Sequence, residues 1–345
     1  MKGSLMTKQR GLSLIELMIA VTLGIFITAA VIQLFTNSKQ SYRVQENLSR
    51  LQENGRFAMH FLSHDIRMAG NMGCIASTRI LTNTLNDTSS FNYNFDAALF
   101  GSDATGASSW APALDASILS PLSGNDVITI RGILDAGIDI TGQPNVSSDC
   151  SPPSAITNSA NIKVTNNDLL EADDIVLAGN CENAAVFQIT QFNAGEVVVH
   201  NTGGGVPGNA TKDLGACFAG NGQLFKLTSR TYYIRNNPAN TPALYRKDGS
   251  APAEELVEGI EGMQILYGED NDNDKTPDYY MPAGSAGLNM DNVVSVKISL
   301  LVTTLEDNLS TQAVPYTIFG ALSTPIDRKI RRVFTSTIAI RNRLP

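Results

Sequence analysis

From Leu12 to Phe35 the chain reads LSLIELMIAVTLGIFITAAVIQLF, an apolar run broken by one carboxylate, Glu16. The run is long enough to cross a hydrocarbon core, which needs about 20 residues at roughly 1.5 Å rise each. Beyond Thr36 the apolar positions thin out and become periodic. Val44, Leu48, Leu51, Ala58, Leu62 and Ile66 recur at helical spacings, with Arg, Gln and Glu opposite. No proline interrupts the segment, and Gly70 and Gly73 are stop signals. The pattern predicts one helix of about 55 residues, half in lipid and half laid on a folded head. A free-standing coiled coil is the competing reading of the second half, but the flanking charges suit it poorly.

After Asn71 the pattern changes to short β-like runs separated by Gly, Asn, Asp, Ser and Pro. Candidate strands are 126–131, 161–165, 174–178, 186–192, 196–200, 231–235, 263–267, 293–304 and 333–341. The clearest is 293–304, where Val294, Val296, Ile298 and Leu300 alternate with Ser295, Lys297 and Ser299, so one face is buried. Phe334, Ser336, Ile338 and Ile340 alternate less cleanly. Stretches 82–94 and 147–161 are rich in Ser, Asn and Thr and read as surface loops. The expected class is α+β: a long N-terminal helix on an antiparallel sheet, with a loop-rich β insertion before Asp174 as a subdomain of its own.

Composition sharpens this picture. The net charge of −8 and pI near 5.0 argue against nucleic acid as a partner, where a basic face is expected. Lys2, Lys8 and Arg10 precede the apolar span and no acid does, which puts the N-terminus in the cytoplasm and the head outside the inner membrane. Cys74, Cys150, Cys181 and Cys217 all fall in that exported part, so two disulfides are expected. Three connectivities exist; the expected one is Cys74–Cys150 with Cys181–Cys217, the first tying the helix end to the head. None of the spacings forms a CxxC metal or redox motif.

Glu16 is the costly residue. An acid near a bilayer core costs roughly 2.5–3.5 kcal/mol on insertion scales. A secretory signal has about 7–15 apolar residues followed by a small-residue cleavage site. Here the small residue, Gly11, comes before the run. A carboxylate four residues from a free amine lies about 6 Å along a helix from it, and can face the amine of an adjacent helix displaced by about one turn. The competing reading is a glutamate that snorkels to the headgroups.

With Gly11 followed by LSLIELMIAV, the chain resembles the type IV prepilins, whose leader ends in glycine before a motif close to FTLIELMIAV. It departs at Leu12, where phenylalanine is commonest. The resemblance implies cleavage between Gly11 and Leu12 by a prepilin peptidase, N-methylation of Leu12, and use of the apolar segment for assembly, with Glu16 pairing to a neighbour's terminal amine. Met6 is a second possible start, giving a shorter leader. The implied layout is a leader over 1–11, a transmembrane and assembly helix over 12–35, its amphipathic continuation over 36–70, and a β-rich extracytoplasmic head over 71–345. RMAGNMGC (67–74), LVEGIEGMQILYGEDNDNDKTPDYY (256–280) and RRVFTSTIAIRNR (331–343) resemble the PilW family of large minor pilins. That family implies a non-enzymatic subunit that joins other minor pilins and the major pilin, primes assembly and sits at the pilus tip, with a tip adhesin as a further partner. A type II secretion pseudopilin shares the N-terminal motif and is the alternative; a calcium-dependent tip adhesin is another.

One cluster in the head carries metal chemistry. Asp270, Asp272, Asp274 and Asp278 recur in EDNDNDKTPDYY, and Ca²⁺ takes six to eight oxygens from such loops. In an EF-hand register the Thr276 carbonyl joins them, but Lys275 stands at the glycine position and Met281 at the final glutamate. Ca²⁺ is therefore the one cofactor expected, bound weakly, against a solvated acidic hairpin as the plain alternative. Enzyme motifs are poor. His60 and His64 have the spacing of a zinc pair, but Phe61 occupies the place of the needed glutamate. His200 has no evident nucleophile beside it, and Gly203–Gly205 lacks the GK[ST] ending of a phosphate loop.

Overall fold

A computed structural model of the chain describes residues 11, 13–74, 81–106, 108–133, 136–143, 159–166, 168–193 and 196–343. Helix α1 (Leu14–Arg67) is a single rod of 54 residues. Its start follows from local chemistry: the Glu16 backbone N–H donates to the Ser13 hydroxyl, and the Ser13 backbone N–H donates back to the Glu16 carboxylate. The chain leaves the helix through Gly70, whose φ of +69° favours glycine. A Cβ there would also meet the Ala98 Cβ at 2.9 Å.

Nineteen strands follow among the described residues. The first ten are β1 (Leu81–Asn83), β2 (Leu99–Ala104), β3 (Trp110–Ala111), β4 (Val127–Ile133), β5 (Ile138–Gly142), β6 (Asn161–Val164), β7 (Ile175–Asn180), β8 (Asn183–Gln188), β9 (Gln191–Asn193) and β10 (Val197–Val199). Then come β11 (Gln223–Asn236), β12 (Pro242–Asp248), β13 (Glu254–Glu258), β14 (Ile260–Glu269), β15 (Tyr279–Met281) and β16 (Val293–Thr303). The last three are β17 (Tyr316–Ile318), β18 (Ala321–Ser323) and β19 (Arg331–Ala339).

Strand β11 organises the larger sheet. Its first residues pair with β5 and β7, and its remainder pairs with β4 on one side and β12 on the other. Among the described residues only β1 and β8 run parallel; every other pairing is antiparallel. A second sheet has the order β15-β14-β16-β19, and β17 and β18 form a separate exposed hairpin. The fold is thus α+β and pilin-like, a long helix with a mixed, mostly antiparallel β head.

The second sheet receives α1. Leu51, Ala58, Leu62 and Ile66 pack into one core with Met263, Ile265, Val296, Ile298, Leu300 and Ile338. These are the stripe positions predicted from periodicity, joined by Gly55, where a Cβ would sit 2.5 Å from the Phe334 ring. Val44 and Leu48, also in the predicted stripe, are only half-buried, because the head begins to cover the helix at Asn47. Strand β19 runs alongside α1 in the same direction, with Phe334 against Gly55 and the Asn342 side chain donating to the Gly70 carbonyl. β16 is buried on both faces, not one: Ser295 meets the Tyr280 hydroxyl at 2.9 Å and Ser299 meets Thr335 at 2.5 Å. A separate cluster of Ile140, Ile162, Val176, Phe187, Val198 and Phe218 fills the part built around β5–β10.

Stretch 82–94 is the expected surface turn over 86–89 but not throughout. Thr84, Leu85 and Tyr93 are buried, because β1 adds to β8 and carries the following turns inward. Most of 147–161 lies outside the described residues.

Candidate functional site

Every described residue from Ser13 to Lys39 is exposed, Leu14 at 78 % and Phe26 at 75 %. The best 18-residue window in this helix has a mean hydropathy of 2.4, and none of it is buried within the protein. An uncovered apolar rod of this length is a membrane anchor, given the leader motif in front of it. Glu16 lies near its start, with its carboxylate held by the Ser13 N–H and hydroxyl, both at 3.1 Å. Gly11 is described and exposed; the leader residues 1–10 and Leu12 lie outside the described residues.

The head first touches the helix just above the anchor. Gln40 donates to the Asn308 carbonyl at 3.4 Å, and the Arg43 guanidinium pairs with Glu306 at 2.6 Å. Hydrogen bonding from Arg43 holds the Glu306 carboxyl below its usual range. Higher up, Asn54 donates to the Glu258 carbonyl at 3.0 Å. The deepest polar contact is Asp65, which accepts from the Tyr232 hydroxyl at 2.6 Å, from Arg230 Nη1 at 3.0 Å and lies 3.0 Å from His64 Nδ1. Burial alone would raise the Asp65 carboxyl; Tyr232, His64 and Arg230 outweigh it and hold the group below its ordinary value. Arg230 continues to Asp248, and Asp248 to Arg246. The sequence pattern did not single out Asp65; its only signal is a carboxylate directly before Ile66 on the buried stripe.

The disulfide pairing differs from expectation. Cys74 bonds to Cys181, not to Cys150, with Cα atoms 4.9 Å apart. Cys181 opens the two-residue turn between β7 and β8, and the β1–β8 pairing carries that turn to the end of the helix. So the predicted Cys181–Cys217 bond is also replaced. Cys217 is disulfide-bonded too, and Cys150 lies outside the described residues.

The acidic loop joins β14 to β15. Ligand oxygens of Asp270, Asp272 and Asp278 lie within 4.8 Å of one another, with Asp270 buried and the other two exposed. Three carboxylates this close can hold a cation. Asp274 is outside the group: it accepts from the Thr276 hydroxyl at 2.6 Å and from the Thr276 N–H at 2.7 Å. Asp270 accepts from the N–H groups of Asn273 and Lys275, and Lys275 takes a φ of +71° at the position where an EF-hand has glycine.

The remaining sequence candidates are scattered. His60 is exposed and His64 turns to Asp65. His200 is buried against Phe187, with Nε2 3.3 Å from the Lys212 carbonyl, and burial holds its imidazole down to about 4. Gly203 and Gly204 take positive φ, and Gly203 bridges to Asn209, as in a turn.

An apolar helix bearing Glu16 behind a basic, glycine-ended leader, laid on an antiparallel head, defines a protein of the type IV prepilin class. Residues 6–32 match the prokaryotic N-terminal methylation motif, and residues 231–342 match the family described as type IV pilus-assembly protein W, PilW. Together these matches, which span less than half of the chain, support a type IV pilus minor pilin of the PilW family. The comparisons with curated proteins and with solved structures return no match. Both matched families are structural parts of the pilus.

Proposed function

We propose that this minor pilin primes pilus assembly from the inner membrane and stays at the fibre tip with other minor pilins, entering through α1. The observation that carries the reading is the bare half of α1, wholly exposed from Leu14 to Lys39 with Glu16 as its single acid. Cleavage between Gly11 and Leu12 by a prepilin peptidase, then N-methylation of Leu12, makes Glu16 the fifth residue of the mature chain. Its charge and a neighbour's amine are each costly in lipid, and pairing removes most of that cost while fixing the register. Ser13 holds the carboxylate until such a neighbour arrives. The basic leader keeps the N-terminus cytoplasmic and sends the head to the periplasm. Glu16→Ala tests this: the variant inserts into membranes normally, but fibre number collapses. Normal fibres with that variant refute the pairing.

The acidic loop supports a second feature, Ca²⁺ held at Asp270, Asp272 and Asp278 and stiffening the tip-facing surface. Calorimetry with roughly millimolar Ca²⁺ gives binding heat that Asp270→Asn abolishes; no heat from the unsubstituted protein removes calcium from the account.

A further inference from the structure

We propose that the free edge of β19, with the groove between it and α1, is a strand-acceptor site that takes an extended, carboxylate-bearing segment of another pilin head as the fifth strand of the second sheet. The proposal rests on the reading that this protein assembles with other pilins, and it specifies where the head is gripped.

Among the described residues, strand β19 pairs with β16 alone. The Ile340 N–H donates to the Val294 carbonyl at 2.9 Å, which sets the parity of the ladder. In an antiparallel pair every second residue bonds inward. Phe334, Ser336 and Ile338 therefore bond to β16, while Val333, Thr335, Thr337 and Ala339 turn their N–H and C=O groups to the open side. No backbone partner meets these four on that side among the described residues. Exposed edges are normally blunted by charge, proline or a bulge. The run from Val333 to Ala339 has no charged residue and no proline, and its register with β16 is unbroken.

Beside this edge lies a groove of about 1070 Å³, walled by Gln52, Glu53, Arg56 and His60 of α1 and by Arg332 and Phe334 of β19. Its helical wall, from Ser49 to Ser63, is roughly 21 Å long at 1.5 Å per residue, the length of a strand of about six residues. Unpaired main-chain rungs over that length are matched by an extended chain, the mode of strand addition. The side-chain chemistry selects the occupant. Arg56 and Arg332 have no ionic partner among the described residues, and Glu53 is the only acid in the wall. An incoming strand with a carboxylate neutralises them. A second copy of β19 is a poor fit, because RRVFTSTIA has no acid to offer Arg56 or Arg332.

The test uses full-length protein in membranes that contain the organism's other minor pilins. Thr337→Pro removes an outward N–H and leaves the inward bonds to β16 intact. It lowers co-purification of those pilins about tenfold, with an unchanged melting temperature. Arg332→Glu lowers it likewise and Arg332→Lys restores it. A folded Thr337→Pro protein with full co-purification overturns the site; if that variant does not fold, full co-purification with Arg332→Glu overturns it instead. Photo-cross-links from Thr337→benzoylphenylalanine fall on an acid-containing strand of another pilin. Capture of a helix, of lipid or of a second copy overturns the assignment. Fibres lost with Glu16→Ala but full co-purification with Thr337→Pro remove only the strand site, whereas normal fibres with Glu16→Ala remove the assembly reading beneath it.

Discussion

Asp126 and Asp65 are both buried carboxylates, yet their surroundings push them in opposite directions. Asp126 bridges two sheets: one oxygen accepts from the Ala104 N–H at 2.9 Å and the other from the Ile265 N–H at 2.7 Å. Burial outweighs these two bonds, and nearby Asp103 adds to it, so the carboxyl is pushed up to about 7. Asp65 has an arginine and a tyrosine hydroxyl at hand and is held low. The sign for Asp126 follows from linkage. A folded-state value above the unfolded one makes its contribution full below about pH 4, and that contribution is lost as pH rises through about 7. Between about pH 5 and about pH 8 the melting temperature of Asp126→Asn therefore falls less than that of the unsubstituted protein. Parallel thermal melts at the two pH values check it, and identical falls would remove Asp126 as the cause.

Among the elements, the Cys74–Cys181 bond ties the segment that follows α1 to the head. It closes a sequence separation of 107 residues between the end of α1 and the β7–β8 turn. In the chain-entropy account, closing so long a loop stabilises by several kcal/mol. Cys74→Ala combined with Cys181→Ala costs about 2–4 kcal/mol, seen as an earlier denaturant midpoint with Cys217 still oxidised. The helix itself was legible in advance, because its signals are local: length of apolar run, period, and terminal glycines. So was β16 as a strand, although its alternation pointed to one buried face and both are buried. The disulfide was not, because the proximity of residues 74 and 181 is created by a parallel β1–β8 pairing that no local pattern announces. Strand β11 was legible only over 231–235; its start at Gln223 carries Lys226 and Ser229 among apolar residues, since it passes from one neighbour to another and never has one constant polar face. In the acidic loop, the fold brings Asp270, Asp272 and Asp278 together, as their spacing suggested, but leaves Asp274 aside with Thr276.

At the scale of the whole molecule, anchor and head are one continuous helix with very different surroundings along its length. Purified from cells, the protein has the mass of a chain that begins at a methylated Leu12; intact-mass spectrometry reads this directly, and a retained leader contradicts the processing. The grip of head on helix is graded. Near the bilayer it consists of Gln40 and the Arg43–Glu306 pair, with side chains 40 % and 51 % exposed, and such pairs are worth about 0–1 kcal/mol. Farther out it consists of Leu51, Ala58, Leu62 and Ile66 in a closed core. Under a mechanical pull along the anchor, the lower turns therefore come away first and cheaply, while the upper turns hold. The rod can lean where it leaves the lipid without loosening its cargo, a soft coupling that the proposed passage from a flat sheet of lipid to a round filament would use.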